Sequence, residues 1–366
     1  MGGVWTTRTL LASISVVLVA VVATACGGPS APDDPLPTRT GPATASETHV
    51  VAMGLAAPWS IAFFGRVPLV SERDSGRILE IDDEVGTRVV ATVDGVDGTG
   101  EGGLLGIAVR QRHLYAYYTG GSENRIARYP ITGTAGSLAL GRGETILRGI
   151  PSATYHNGGR IAFGPDGMLY ATTGDAGRPG LAQEHASLAG KILRMTPTGA
   201  VPADNPFPGS LVYSLGHRNS QGIGWSADGR MFASEFGADA EDELNQIEAG
   251  KNYGWPAVEG RQRGDRAPEY TDPLITWPTD EASPSGIAVV GGAVVIANLR
   301  GERLRVVPLN DTATSADRYA GEFGRLRDVV VTPGGELWVL TNNTDGRGTP
   351  GAGDDRIVRV TVDGAR

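Results

Sequence analysis

His156 stands in the run Tyr155-His156-Asn157-Gly158-Gly159-Arg160, and Asp175 ends the run Thr173-Gly174-Asp175. The turn-forming Pro165-Asp166-Gly167 lies between them, so the two segments read as a hairpin whose outer ends lie side by side. Asp175 then takes one imidazole nitrogen and leaves the other to act as a general base. Taken alone, a histidine–carboxylate contact equally suits a pair that only satisfies two buried groups. His217-Arg218-Asn219 holds the same position one repeat later, and Arg300, Arg325 and Arg327 fall at equivalent points in the last two repeats. A single arginine reads as a solvated charge. Three whose loops converge on one mouth suggest a small polyanionic ligand. His49, His113 and His185 have no chemical neighbours in sequence and read as surface or packing residues.

The elements that must hold these residues recur along the chain. An apolar triplet, a turn and a second β-rich run begin at Ile61, Ile107, Ile161, Ile223, Ile287 and Val329. A third run follows in each, as in Lys191-Ile192-Leu193-Arg194-Met195, with the polar–apolar alternation of a half-buried strand. Repeat starts 42 to 64 residues apart suit four-stranded antiparallel blades joined by loops of varied length. The expected fold is all-β, a six-bladed β-propeller over residues 48–366, with Thr48 to Gly54 supplying a strand that completes the last blade. A β-sandwich is the alternative.

Composition bounds what such a domain does. The 366 residues carry a formal charge of −9, which argues against a nucleic-acid surface. The single cysteine excludes an internal disulfide and a CxxC site. Glycine, at 54 residues, fits a protein built on tight turns. Before the domain, residues 1–25 read as a signal peptide: Arg8 precedes the apolar run Leu10 to Ala25, which is short for a membrane span. The ending Ala23-Thr24-Ala25-Cys26 resembles a bacterial lipobox, which implies acylation at Cys26. Residues 26–47 read as a flexible tether rich in Pro, Ser, Thr and Gly. The expected location is extracytoplasmic, with the lipid anchor as the only membrane contact.

Longer motifs carry a resemblance. His156-Asn157-Gly158-Gly159-Arg160 with Gly174-Asp175, and Gly216-His217-Arg218-Asn219-Ser220-Gln221-Gly222, are similar to segments of the soluble PQQ-dependent glucose/sorbosone (aldose sugar) dehydrogenases. So are Ser234 to Asn245 with Asn252-Tyr253-Gly254-Trp255-Pro256, Arg325-Leu326-Arg327-Asp328 and Gly102-Gly103-Leu104-Leu105-Gly106. The resemblance spans Gly54 to Val360 and implies the same six-bladed propeller, oxidising an aldose at C1 to the lactone and passing electrons to an external acceptor.

Site roles follow from it residue by residue. His156 would be the base, Asp175 its orienting carboxylate, and Arg218 a positive charge beside the quinone. Asn219 would hydrogen-bond PQQ, while Arg300, Arg325 and Arg327 would face its carboxylates. The carbonyls of Gly237 and Ala238 would hold a Ca2+ ion, and Glu243 with the Tyr253 carbonyl a second one. Glu101 stands where the family usually has glutamine beside the quinone and the base, and Ser220 where it has proline. The expected partners are a sugar and the electron acceptor, for a monomer or homodimer. A calcium-dependent propeller lactonase would need carboxylates and asparagine around a central metal without the arginine set, and a catalytically silent propeller lipoprotein binding a glycan or protein would keep the blades and lose the base.

Overall fold

The structure is a computed structural model describing residues 1–3, 48–82, 86–262 and 270–363. The expected signal peptide beyond residue 3, Cys26 and the tether up to residue 47 lie outside the described residues. Among the described residues no helix is long and apolar enough to cross a membrane.

Six antiparallel sheets follow one another along the chain. Blade one runs Pro58–Phe64, Val67–Glu72, Arg77–Asp82 and Gly86–Thr92, each strand pairing with the next. The later blades open with Leu104–Arg110, Ile161–Phe163, Ser220–Trp225, Pro284–Val290 and Leu326–Val331, so every expected triplet lies in a first strand. The turns behave as their residues dictate: Gly167, Gly229 and Gly335 all take positive φ, which costs glycine nothing. Two details differ from a uniform set of four strands. The two-residue strand Ala139–Leu140 pairs beside blade two, giving that sheet a fifth member. Blade six is completed from the other end of the domain, His49–Ala52 pairing with Ile357–Val360.

Ring closure shows in the packing. First strands touch in an unbroken cycle, one to two and onward to six and back to one. The buried apolar residues fall into six clusters, each shared by adjacent blades. Leu69 of blade one packs with Leu114 of blade two, and Leu340 of blade six with Val70 of blade one. Each blade is apolar on both faces because each face meets a neighbour. Polar side chains are buried instead along the first strands. Arg160 pairs with Asp328 at 2.8 Å, lies over the Trp59 ring, and donates to the Gln221 carbonyl at 2.9 Å. Asp328 accepts the Ile61 N–H at 3.1 Å. These bonds join blades one, three, four and six across the middle of the ring.

Candidate active site

Blade three positions the first pair. Beyond Ile161 the ladder continues through Gly159 N–H to the Thr172 carbonyl, at 2.9 Å. The chains then approach so closely that a Cβ on Gly174 would meet the His156 carbonyl oxygen at 1.8 Å. Only glycine fits there. His156 and Asp175 therefore emerge together, with His156 Nδ1 and Asp175 Oδ1 2.8 Å apart. The Asp175 side chain is fully buried and accepts twice more, from Gly177 N–H at 2.8 Å and Trp255 Nε1–H at 2.9 Å. Burial raises its pKa, but hydrogen bonds from His156, Trp255 and Gly177 and the His156 charge together hold it below the ordinary carboxylate value. With Asp175 on Nδ1, the other ring nitrogen of His156 has no protein partner among the described residues.

His217, the alternative imidazole, is closed on both sides. Nδ1 meets Glu235 Oε2 and Nε2 meets Ser214 Oγ, each at 2.8 Å, and the ring stacks on Tyr253. It is a structural histidine. Glu235 also accepts from the Arg218 backbone N–H and from Ser220 Oγ at 2.7 Å, which gives Ser220 a use that proline could not serve. Arg218 is turned over the Trp255 ring and donates to the Phe236 carbonyl at 3.2 Å. Asn219 is buried; its Oδ1 accepts from Gly158 N–H at 3.0 Å, while its Nδ2 has no partner.

Arg325 and Arg327 converge on Asp345 Oδ2 at 3.1 and 3.8 Å. Arg327 also donates to Gln221 Oε1 at 2.6 Å and Asn342 Oδ1 at 3.2 Å. It lines a cavity with Trp59, Arg73, Glu101, Asp345 and Arg347. Burial, then the charges of Arg73, Arg325 and Arg160, push the Arg327 guanidinium down to about 9 against the pull of Asp345. Positive charge there is in excess, and Arg325 Nε is buried without an acceptor. Arg300 is exposed on the turn after Ala293–Asn298, directly after Leu299, which lines the same cavity as Arg327. Glu101 also lines the cavity, accepting the His156 N–H at 2.9 Å and pairing with Arg347 at 2.8 Å.

Around the turn after Met231–Glu235, four backbone N–H groups of Ala238 to Glu241 point at one oxygen of Glu259. The carbonyl oxygens of Gly237, Ala238 and Tyr253 accept no hydrogen bond among the described residues. Burial and the nearby Glu235 push the Glu243 carboxyl up to about 8, and the buried Asn245 Oδ1 beside it is unpartnered. Among the described residues no three His, Cys, Asp or Glu side chains gather as a metal site, and the oxygens open to a cation here are these backbone carbonyls and the Glu243 carboxylate. Arg73, Asp345 and Arg347 had no signal in their local sequence, and Glu235 lay inside a quoted motif without a role. Trp255 lay inside a quoted motif but without a role.

This arrangement has close relatives. The PQQ-bound aldose sugar dehydrogenase of Streptomyces coelicolor is 49% identical, with a TM-score of 0.81 over 87% of this chain and 99% of that one. Quinoprotein glucose dehydrogenase B of Acinetobacter calcoaceticus is 30% identical over 72% of this chain and 65% of its own length. The aldose sugar dehydrogenase YliI of Escherichia coli is 29% identical over 83% and 92%. With its family model matched over residues 55–352, covering blades one to five, the first two strands of blade six and every loop described above, the chain belongs to the glucose/sorbosone dehydrogenase family.

Proposed function

We propose that the protein is a PQQ-dependent aldose sugar dehydrogenase that oxidises C1 of a sugar to the lactone and delivers the electrons to an external acceptor. The observation that carries this reading is the contrast between the two histidine–carboxylate pairs. His217 is spent on both nitrogens, whereas His156 keeps one free beside a cavity with surplus guanidinium charge. When bound, PQQ supplies the oxidant that takes the hydride from C1. The donors fit such a polycarboxylate: an orphaned Asn219 Nδ2, an orphaned Arg325 Nε, and Arg327 under strain from its cationic neighbours.

His156 takes the C1 hydroxyl proton on its free nitrogen. Asp175 keeps the Nδ1 tautomer and stabilises the imidazolium that results. Arg218, steadied by Trp255 and the Phe236 carbonyl, holds positive charge near the pair. Asn219, Arg300, Arg325 and Arg327 would hold the cofactor, the free carbonyls of Gly237 and Ala238 would hold Ca2+, and Glu243 with the Tyr253 carbonyl would serve a second ion. Acylation at Cys26 keeps the domain outside the cytoplasm on its tether.

The test is reconstitution. Purified protein with calcium takes up PQQ stoichiometrically and then reduces a dye when given aldoses. His156→Asn binds PQQ within a few-fold of wild type but turns over about 10² to 10⁴ more slowly. Failure of the wild type to take up PQQ, or normal turnover by the variant, rejects the reading.

A further inference from the structure

The base and the arginine cradle lie on different blades, yet a continuous chain of contacts joins them. Arg325 pairs with Asp345 at 3.1 Å. Asp345 Oδ1 accepts the backbone N–H of Arg347 at 2.9 Å. The Arg347 guanidinium pairs with Glu101 Oε1 at 2.8 Å, and Glu101 Oε2 accepts the His156 N–H at 2.9 Å. His156 has φ +58°, a left-handed backbone that a side chain-bearing residue keeps only when its surroundings impose it. Asp175 holds the ring, and Glu101 holds the backbone.

Glu101 is itself held from both sides. Its N–H donates to the Thr154 carbonyl at 2.8 Å, fixing its loop against the segment that leads into His156. Its carboxylate is fixed by Arg347, whose own side chain is 61% exposed at the cavity rim. The family's usual glutamine would accept the same N–H without attracting a guanidinium. Glutamate in this chain recruits one.

We propose that Arg347 is a positioning residue for the base, acting through Glu101 to hold the His156 backbone and tying that backbone to the Arg325–Asp345 cradle. The naming of His156 as base rests on the function proposed above; the backbone restraint does not.

Hydrogen exchange on the protein without cofactor or sugar reads the restraint directly. Arg347→Ala should speed exchange at the His156 amide by roughly two- to fivefold, the range expected for a largely exposed ion pair. Arg347→Lys should restore most of the protection, and the amides of Ile161–Phe163 should not change. Glu101→Gln, which keeps an acceptor but loses the ion pair, should match Arg347→Ala, and the double variant should add nothing. In the loaded enzyme, Arg347→Ala should lower kcat by a similar factor with the sugar KM unchanged, and high salt should shrink the difference. Equal His156 exchange in wild type and Arg347→Ala overturns the proposal, as does an additive double variant. Should Arg347→Ala fold poorly, Glu101→Gln decides by the same measurement. If wild type fails to oxidise sugars while the exchange pattern appears, the proposed function falls and the restraint stands.

Discussion

Replacing Asp175 by asparagine tests the base most sharply, because the shape of the site survives and only charge and acceptor count change. Three donors face this carboxylate: His156 Nδ1 and Gly177 N–H on Oδ1, and Trp255 Nε1–H on Oδ2. Asparagine offers one oxygen and one NH2, so it must fail at least one of them. With the NH2 toward Trp255, two donors oppose each other and the histidine keeps its tautomer but loses the stabilising charge. That loss is a charge-assisted hydrogen bond, about 1.5–3 kcal/mol, or roughly 10- to 150-fold in rate. With the NH2 toward His156, the imidazole must present a bare Nδ1 and carry its proton on the other nitrogen, where the base is needed. The same error in a Ser-His-Asp enzyme costs about 10⁴. We therefore expect kcat to fall at least about tenfold at saturating PQQ and calcium, with PQQ affinity within a few-fold of wild type. Stability reports the same group with a defined sign. The folded carboxyl lies below its ordinary 3.8, so its contribution is complete above that value and is lost as pH falls through the lower folded one. The difference in Tm between wild type and variant should persist at pH 5 and narrow below 3.8. A kcat within about threefold of wild type would refute the assigned role.

Other perturbations separate the cradle, the cation and the anchor. Arg327→Ala should weaken PQQ by at least about tenfold, since a charged hydrogen bond is worth roughly 1.5–3 kcal/mol, and excess PQQ should recover much of the rate; a titration with dye reduction as readout checks both. If Ca2+ sits on the free carbonyls of Gly237, Ala238 and Tyr253 as proposed, chelation should abolish PQQ uptake and lower Tm, with both restored by added Ca2+ but not by raised ionic strength, because oxygen ligation by a hard cation is not replaced by screening. Cys26→Ser should move the protein from the detergent-soluble membrane fraction to the aqueous one; identical partitioning of the two forms contradicts acylation.

What could be read from the chain divides along a physical line. Strands and turns are local, so alternation and Asp-Gly or Gly-Gly punctuation located all six repeats, and hairpin geometry alone put Asp175 beside His156. The extra strand Ala139–Leu140 escaped because two residues carry no period. Arg300 was grouped with Arg325 and Arg327 by its place in the repeat, and the residue before it, Leu299, lines the cavity that Arg327 lines. Partners brought together by closing the ring were beyond spacing altogether: Asp328 meets Arg160 168 residues away and Ile61 267 away, and Glu101 meets Arg347. The departures from the family pattern share this property. Ser220 looks like a lost proline until Glu235 accepts its hydroxyl, and Glu101 looks like a misplaced charge until Arg347 neutralises it. Each substitution is half of a pair whose other half lies on another strand or another blade. A variant that reverts one half alone, such as Glu101→Gln, therefore leaves its partner without the group it was turned toward, and its effect should be judged against the reverted pair.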